Sequence, residues 1–426
     1  MLPYLVEQFK KHDSKIQEWF SYYESQIGSE PIYASVDLRN AGYKIAPVDT
    51  NIFPAGFNNL CPSFQREATR LFKEALSAPG IDRKLLGGRG EIKKILILAE
   101  EHTRNLFYFD HLHALKSIVE AAGIEVVVGS LSTDLPAEEN FFENASGKKV
   151  TIARAAEKNG KLQTSTFLPD LILINNDFSA GLPEVIRRVK QPMVPTPHIG
   201  WHRRKKSDHF THYRKFIENF AEHIEIDPWL MLAEFSMVDE LNLSESSSTE
   251  RLAAEVDRLL AIIREKHHAH GVSDEPFVFV KNNAGTYGMA IMTAHSGDEF
   301  LQLNKKQRKN MKTGKGSQSV TSLIIQEGLV TVDRFQGLVA EPVVYLVNNQ
   351  ACGGFFRLHD SVDERGNLNQ PGMRFSKLCF HELTGYENVY EKACDMDCLS
   401  MVYKYTARIA SLAAGCEINS IPLHEI

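Results

Sequence analysis

Apolar positions near the start of the chain recur at helical spacing: Leu5, Phe9, Ile16, Phe20 and Tyr23. The pattern predicts a helix over 4–27, ended by Pro31. Residues 32–37 then alternate apolar and polar, the period of a strand. Asn40-Ala41-Gly42 is a turn signal, and 43–48 reads as the returning strand of a hairpin. A polar loop carrying Gly and Pro covers 51–59, and a helix is expected over 63–78. From 92 the texture changes. Residues 95–99 and 124–128 are continuous apolar runs, as in strands buried on both faces, and a helical pattern over 105–121 separates them. That is a βαβ unit. A third run covers 171–174 with a short helix over 182–189 after it, and the polar stretch 135–165 reads as a β-hairpin excursion. Helices are expected over 206–221, 250–268 and 397–415, with a solvated linker at 244–249. Strands are expected over 276–281, 290–293, 322–326, 342–347 and 351–356.

Length and charge narrow the class. At roughly 150 residues per domain, 426 residues suggest two or three domains. A net charge of −6 argues against a general nucleic-acid binder. No apolar run approaches the ~20 residues of a membrane span. The amphipathic N-terminal stretch lacks the apolar core of an export signal, so a cytoplasmic protein is expected. Six cysteines in a chain this long are not a disulfide scaffold. Cys394 and Cys398 could meet on one helix face, but a metal site would need further ligands, and ordinary packing is the expectation.

Four segments carry candidate chemistry. In Val280-Lys281-Asn282-Asn283-Ala284-Gly285-Thr286-Tyr287-Gly288 a strand ends on a lysine and enters a glycine loop. Backbone N–H groups of such a loop can cradle phosphate while the lysine adds a point charge; the alternative is a tight hairpin with an exposed lysine. The strand Ile324-Ile325-Gln326-Glu327 breaks at Gly328-Leu329. Its free backbone groups could read an adenine edge, with Asp333 accepting from a ribose hydroxyl; a plain strand end is the alternative. A hairpin from Glu341 to Arg357 ends on an arginine useful beside a phosphoryl group in flight. Asp49 and Asn51 are two apart on an extended segment and share a face, and Asp37 lies across the hairpin. These hard oxygen donors suit Mg²⁺, unless they serve only the turn. Asn369 is a competing metal ligand.

Together these segments resemble the ATP-grasp ligases. The acid–x–Asn hairpin precedes the lysine loop, so the resemblance is to a circularly permuted member, as in eukaryotic glutathione synthetases. It implies an earlier phosphate-binding lysine, for which Lys206 in WHRRKKSDHF fits. The runs VDLRNAGYKIAPVDTNIFPAGFNNL, EHTRN, INNDFSAGLPE, VKNNAGTYGMAIMT and AEPVVYLV resemble the proteobacterial-type glutamate–cysteine ligases along nearly the whole chain. That resemblance implies an α/β protein using ATP and Mg²⁺ to join L-glutamate to L-cysteine, the first step of glutathione synthesis. Its expected parts are the N-terminal helix and metal hairpin over 1–60, an α/β substrate domain of Rossmann-like type over 61–200, and the nucleotide domain over 201–426. Substrate contacts are expected at strand ends, from Glu100 and Arg104 and from Asn175, Asn176, Asp177 and Ser179. Asn58 joins them, and Arg39 and Arg104 are candidate carboxylate clamps. Another carboxylate–amine ligase of this class and a nucleotide-binding protein without turnover remain as rivals. A nucleic-acid binder working through the basic stretch 304–316 lacks the interleaved aromatics that single-strand binding would need. No nucleic-acid or membrane partner is expected, and oligomeric state is not legible.

Overall fold

The computed structural model describes residues 2–28, 31–77, 92–101, 105–136, 140–284, 291–303, 307, 311, 320–377, 383–384 and 394–419. The chain opens with helices α1 (Leu2–Lys11) and α2 (Asp13–Ile27), the hairpin β1 (Tyr33–Asn40) and β2 (Ile45–Asn51), and α3 (Pro62–Leu76). An alternating segment follows: β3 (Lys94–Ala99), α4 (Leu106–Ala121), β4 (Glu125–Ser130), β5 (Asn140–Glu143), β6 (Lys149–Arg154), β7 (Ala156–Lys158), β8 (Lys161–Gln163), β9 (Leu171–Asn175), α5 (Glu184–Arg188) and β10 (Met193–Val194). Then come α6 (Lys206–His223), β11 (Phe235–Val238), α7 (Ser246–Ala269), β12 (Val278–Asn282), β13 (Met292–Ala294), α8 (Asp298–Leu301) and β14 (Leu323–Glu327). The last part holds β15 (Arg334–Phe335), β16 (Leu338–Val347), β17 (Gln350–His359), β18 (Arg374–Lys377), β19 (Leu383–Thr384) and α9 (Cys394–Asn419).

Three sheets place the chemistry. The largest is antiparallel, in the order β18-β17-β16-β1-β2 with β15 and β19 at its margin. It joins the N-terminal hairpin to strands some 300 residues later in the chain, because β1 pairs with β16 from Tyr33↔Val347 to Asp37↔Val343. Strand alternation gives it two unlike faces. Val36, Leu38, Val344, Leu346, Phe356 and Leu358 enter one core with Phe9, Phe20, Phe216, Phe220, Tyr403 and Ile409 of four helices. The opposite face carries Ser35, Asp37, Glu341 and Arg357. The second sheet runs β10-β9-β3-β4-β6-β5 and is parallel except at β5. Its strands β3 and β9 are apolar on both sides because both faces are covered: Ile95, Ile97, Leu171 and Leu173 pack in one core, Leu96, Leu98, Ile172 and Ile174 in another. The third sheet, β11-β14-β12-β13, is antiparallel and packs on α7.

The structure departs from the sequence pattern in three places. The N-terminal helix is two helices broken at His12. The excursion over 135–165 contains two hairpins, one of which extends the parallel sheet through β6. The Ser/Thr-rich stretch 244–249 runs into α7, which starts at Ser246, rather than forming a linker; Ser248 Oγ accepts from Asn242 N of the preceding turn and Thr249 Oγ1 donates to Ser246 O. Short polar residues are common at helix starts, so their cluster marks one as readily as a loop, although Glu245, which precedes this helix, makes no side-chain cap. Gly285, Tyr287, Gly288, Arg104, most of 304–316 and the side chains of Cys394 and Cys398 lie outside the described residues. Among those described, no helix is long and apolar enough to cross a membrane.

One buried ion pair ties the large sheet to the third sheet. Lys44, just beyond the β1–β2 turn, donates to both Glu327 carboxylate oxygens at 2.9 Å and to Leu232 O at 3.0 Å. Both side chains are fully buried, and the ammonium sits 4.1 Å from the Trp229 ring centroid. Burial pushes the Glu327 carboxyl up, but Lys44, together with His267 and the backbone N–H of Glu234, outweighs it and holds it below its ordinary range. Removing one partner strands the other charge, so Lys44→Met is expected to cost about 3–5 kcal/mol. Lys44→Met with Glu327→Leu should recover much of that loss in urea unfolding. Equal midpoints for Lys44→Met and the parent chain would contradict this.

Candidate active site

The β1–β2 turn fixes what faces what. Gly42 takes φ +79°, which only glycine adopts without strain, and Gly42 N donates to the Asn40 side chain at 3.0 Å. The resulting register sets Asp37 directly opposite Asp49 and Ser35 opposite Asn51, with a bulge beyond Asp37. Two carboxylates side by side repel, and each is met by a cation from elsewhere. Lys206 Nζ lies 2.5 Å from Asp49 Oδ1, and Arg357 donates to Asp37 Oδ2 at 2.8 Å. Burial works to raise the Asp49 pKa, but Lys206, Lys281 and Arg204 outweigh it and bring it to about 2. Asp37 is shifted the other way: burial raises it, with Arg357 opposing and Asp49 and Glu341 adding to the rise.

Both lysines are held from behind. Lys206 opens α6, and its backbone N–H donates to Asn283 O at 2.8 Å while Ser207 N donates to Asn283 Oδ1 at 2.9 Å. Asn283, two residues past Lys281, thus caps α6 and ties Lys206 to the lysine strand. The Lys206 ammonium sits 4.5 Å from the Trp201 ring centroid. Lys281 donates to Gln326 Oε1 at 2.8 Å and to Val48 O at 3.3 Å. Burial lowers its pKa to about 8, against the pull of Asp49. Gln326 is fully buried, and its Nε2 has no hydrogen-bond partner; the same holds for the Trp201 indole N–H and for Arg357 Nε.

A cavity of about 170 Å³ collects this face. Ser35, Asp37, Asp49, Asn51 and Arg357 line it from the large sheet. Glu100 and Asp177 line it from just beyond the carboxyl ends of β3 and β9, and Asn175 from the last position of β9. Asn369 lines it too, so both candidate metal-binding sets face one space. Asn175 is fixed by its neighbours: its Oδ1 lies 3.0 Å from both Tyr108 Oη and His111 Nε2, and its Nδ2 donates to Pro54 O at 3.0 Å. Burial brings His111 to about 4, so the ring is neutral at physiological pH. Since Phe57 N donates to His111 Nδ1, Nε2 carries the proton. Asn176 Oδ1 accepts from Phe178 N and Asp177 Oδ1 from Ser179 N, an Asx turn that shapes the β9 end.

Other residues singled out in the sequence have partners within the protein. Arg39 is buried, ion-paired with Glu341, and donates to Leu329 O at 2.8 Å and to Gly366 O. Glu327 serves Lys44. Asp333 is fully buried, accepting from Tyr403 Oη at 2.8 Å and Asn40 Nδ2 at 3.0 Å. Gly328 is where it is because a Cβ there would come within 2.2 Å of the Phe277 ring. Asn58 is half-buried and donates to the Asn59 side chain at 3.2 Å. Sequence reasoning passed over Glu341 as a site residue, although it lies directly across from Arg357 and 3.4 Å from its guanidinium. Trp201, Asn283 and Lys44 also escaped it. The signal for Lys44 was a lone lysine inside an apolar strand pattern.

Hard oxygen donors on one strand pair fit Mg²⁺. Among the described residues no group of three His, Cys, Asp or Glu side chains could hold a metal ion, so oxygens from a nucleotide would be needed as well. The unpartnered Gln326 amide and Arg357 Nε, with the two lysines, fit an anionic, hydrogen-bonding ligand such as ATP.

Comparison with known proteins agrees in kind. A solved structure from Methylobacillus flagellatus KT, named "Putative gamma-glutamylcysteine synthetase", superposes with a TM-score of 0.86 at 37% identity, covering 98% of this chain and 96% of that one. D-alanyl-alanine synthetase A from Vibrio cholerae O1 biovar eltor str. N16961 matches with a TM-score of 0.32 at 6% identity, over 74% of this chain and 79% of that one, too little for a shared fold to follow. No curated protein matches significantly. The family model for glutamate-cysteine ligase matches residues 7–418, and the chain belongs to that family.

Proposed function

We propose that the chain joins the γ-carboxyl of L-glutamate to the amine of L-cysteine through a γ-glutamyl phosphate, in the cavity between the large sheet and the ends of β3 and β9. ATP would supply the phosphoryl group and Mg²⁺ would draw off its charge. The observation that carries the reading is the convergence of Lys206, Lys281 and Arg357 on the paired carboxylates Asp37 and Asp49. Such an array binds and neutralises a transferring phosphoryl group. Lys206 and Lys281 would hold the phosphates, with the loop through Gly285, Tyr287 and Gly288 over them. Gln326 and the chain around Leu329 would face the base. Asp37, Asp49 and Asn51 would hold the metal. Arg357 would stabilise charge on the γ-carboxylate as it becomes the acyl phosphate. Glu100 and Asp177 suit the glutamate ammonium, and Asn175 orients it. The large and third sheets would then form a permuted ATP-grasp-like nucleotide domain, and the parallel sheet a Rossmann-like substrate domain.

The reaction itself is tested by phosphate release from ATP, Mg²⁺ and glutamate, with and without cysteine. Cysteine-dependent release with a γ-glutamylcysteine product is expected. Release with another amine alone would keep the ligase chemistry and discard the acceptor.

Lys281 gives a pH signature. It carries charge below about 8 and loses it above. So kcat/KM for ATP should fall as pH rises through about 8, and Lys281→Arg should remove that fall, since arginine stays protonated. Lys281→Met should lower kcat by about 10²–10³ with the fold intact by circular dichroism. A flat pH profile would remove Lys281 from the phosphate site.

Asp49→Asn takes one charge from the metal set and frees Lys206. The Mg²⁺ concentration for half-maximal activity should rise by at least about 10-fold. Unchanged metal dependence would shift the assignment to Asn369.

A further inference from the structure

We propose that Glu341 and Arg39 are positioning residues for the phosphoryl transfer: they turn the Arg357 guanidinium so that its Nε–Nη2 edge is left for the reacting oxygens. This rests on the ligase reading above and adds how its arginine is aimed.

The three side chains form a row across neighbouring strands. Arg39 lies on β1, Glu341 on β16 and Arg357 on β17. Glu341 stands directly opposite Arg357, so the carboxylate lies between two guanidinium groups, a favourable cross-strand order of charge. Glu341 divides its oxygens between them. Oε1 accepts from Arg39 Nε at 2.5 Å, and Oε2 accepts from Arg357 Nη1 at 3.4 Å. All three residues are buried. Arg39 is itself pinned: it donates to Leu329 O at 2.8 Å and to Gly366 O, and its guanidinium sits 5.4 Å from the Phe279 ring centroid. Those partners belong to the chain just past β14, to the β17–β18 connection and to β12. Glu341 is therefore held by an arginine that three other segments keep in place.

What Glu341 does to Arg357 follows from the nitrogen it takes. Asp37 Oδ2 accepts from Arg357 Nη1 at 2.8 Å, and Glu341 Oε2 accepts from the same Nη1. Arg357 lines the cavity, and its Nε is buried with no partner among the described residues. The Nε–Nη2 edge of a guanidinium presents two parallel N–H bonds, the pair that grips a carboxylate or phosphoryl group bidentately. A carboxylate that served only to neutralise Arg357 would take that edge itself, since the bidentate pair is the stronger one. Asp37 and Glu341 instead hold the arginine by one corner. An unpartnered buried N–H is costly, and a substrate oxygen bound there recovers that cost. Without Glu341, Asp37 is left as the one carboxylate on Arg357. The pair can then turn into the bidentate form, which takes the edge away from the substrate.

The test is steady-state kinetics at saturating Mg²⁺ and cysteine for the parent chain, Glu341→Gln, Glu341→Asp, Arg39→Lys, Arg357→Lys and the double variant Glu341→Gln with Arg357→Lys. Circular dichroism and the urea midpoint check folding. Glu341→Asp keeps the charge and draws the carboxylate back by one methylene, so it should fold. Both Glu341 variants should lose about 10²-fold in kcat, the scale of a ~1 Å misplacement, with KM for ATP unchanged. Arg39→Lys should lose in the same parameter, because a lysine keeps the charge but not the planar fork. Arg357→Lys removes the edge itself, so Glu341→Gln should cost nothing further in that background. Full activity of Glu341→Asp, a loss falling on KM for ATP, or additive losses in the double variant would overturn the positioning role and leave the ligase reading standing. A parent chain that releases no phosphate with cysteine overturns both.

Discussion

Asp37 and Asp49 face each other across a strand pair, and the rest of the site follows from the need to neutralise them. Each carboxylate raises the cost of ionising the other, and Asp37, with only 16% of its side chain exposed, would be costly to leave unpaired. The answer comes from two distant parts of the chain, Lys206 at the head of α6 and Arg357 on β17. Arg357 is in turn shared with Glu341, and Glu341 with Arg39. Adding Lys281, the named groups are four cations against three carboxylates. The cavity lining itself, Arg357 against Asp37, Asp49, Glu100 and Asp177, is net acidic, so an anionic substrate there calls for a bound cation as well as the lysines behind Asp49.

The scaffold keeps this array rigid by separating work between the two faces of the large sheet. One face is buried under helices at both ends of the chain, so the hairpin of residues 33–51 cannot slip by one residue without exposing Val36 and Leu38. Two further buried ion-pair clusters clamp the neighbouring elements. Lys44 and Glu327 join the hairpin turn to β14. Arg204 and His209 meet on Glu417 of α9, with Arg204 also donating to Thr50 O at 2.6 Å, next to Asp49. Burial would raise the Glu417 carboxyl, but Arg204 and His209 outweigh it and hold it at about 2. Such pairs are poor sources of net stability but strong sources of geometry, since a misplaced partner leaves a charge uncompensated.

Much of this was legible in residue order, and the limits have a physical form. The hairpin was readable because its turn and alternation are local, and the register then put Asp37 opposite Asp49. The parallel strands were readable as apolar runs because both faces are covered. What could not be read was whether a charged residue already has a partner within the protein. Arg39, Glu327 and Asp333 look like ligand-binding groups in sequence, yet each is met by residues between 70 and roughly 300 positions away. Glu341 and Trp201 were missed for the converse reason. Their neighbours in sequence are ordinary, and only the register across β16 and β17 and the packing of Lys206 bring them to the site.

The central claim is that this charged face makes an acyl phosphate of the glutamate side chain. Glutamate labelled with ¹⁸O in its γ-carboxylate tests it directly. If that carboxylate takes the phosphoryl group and the amine then expels phosphate, one labelled oxygen leaves with each phosphate released. Mass spectrometry of phosphate formed during turnover with cysteine should therefore show a single ¹⁸O from fully labelled glutamate. Unlabelled phosphate released alongside the γ-glutamylcysteine product would mean that the carboxylate is never phosphorylated, and the account of the cavity would fail.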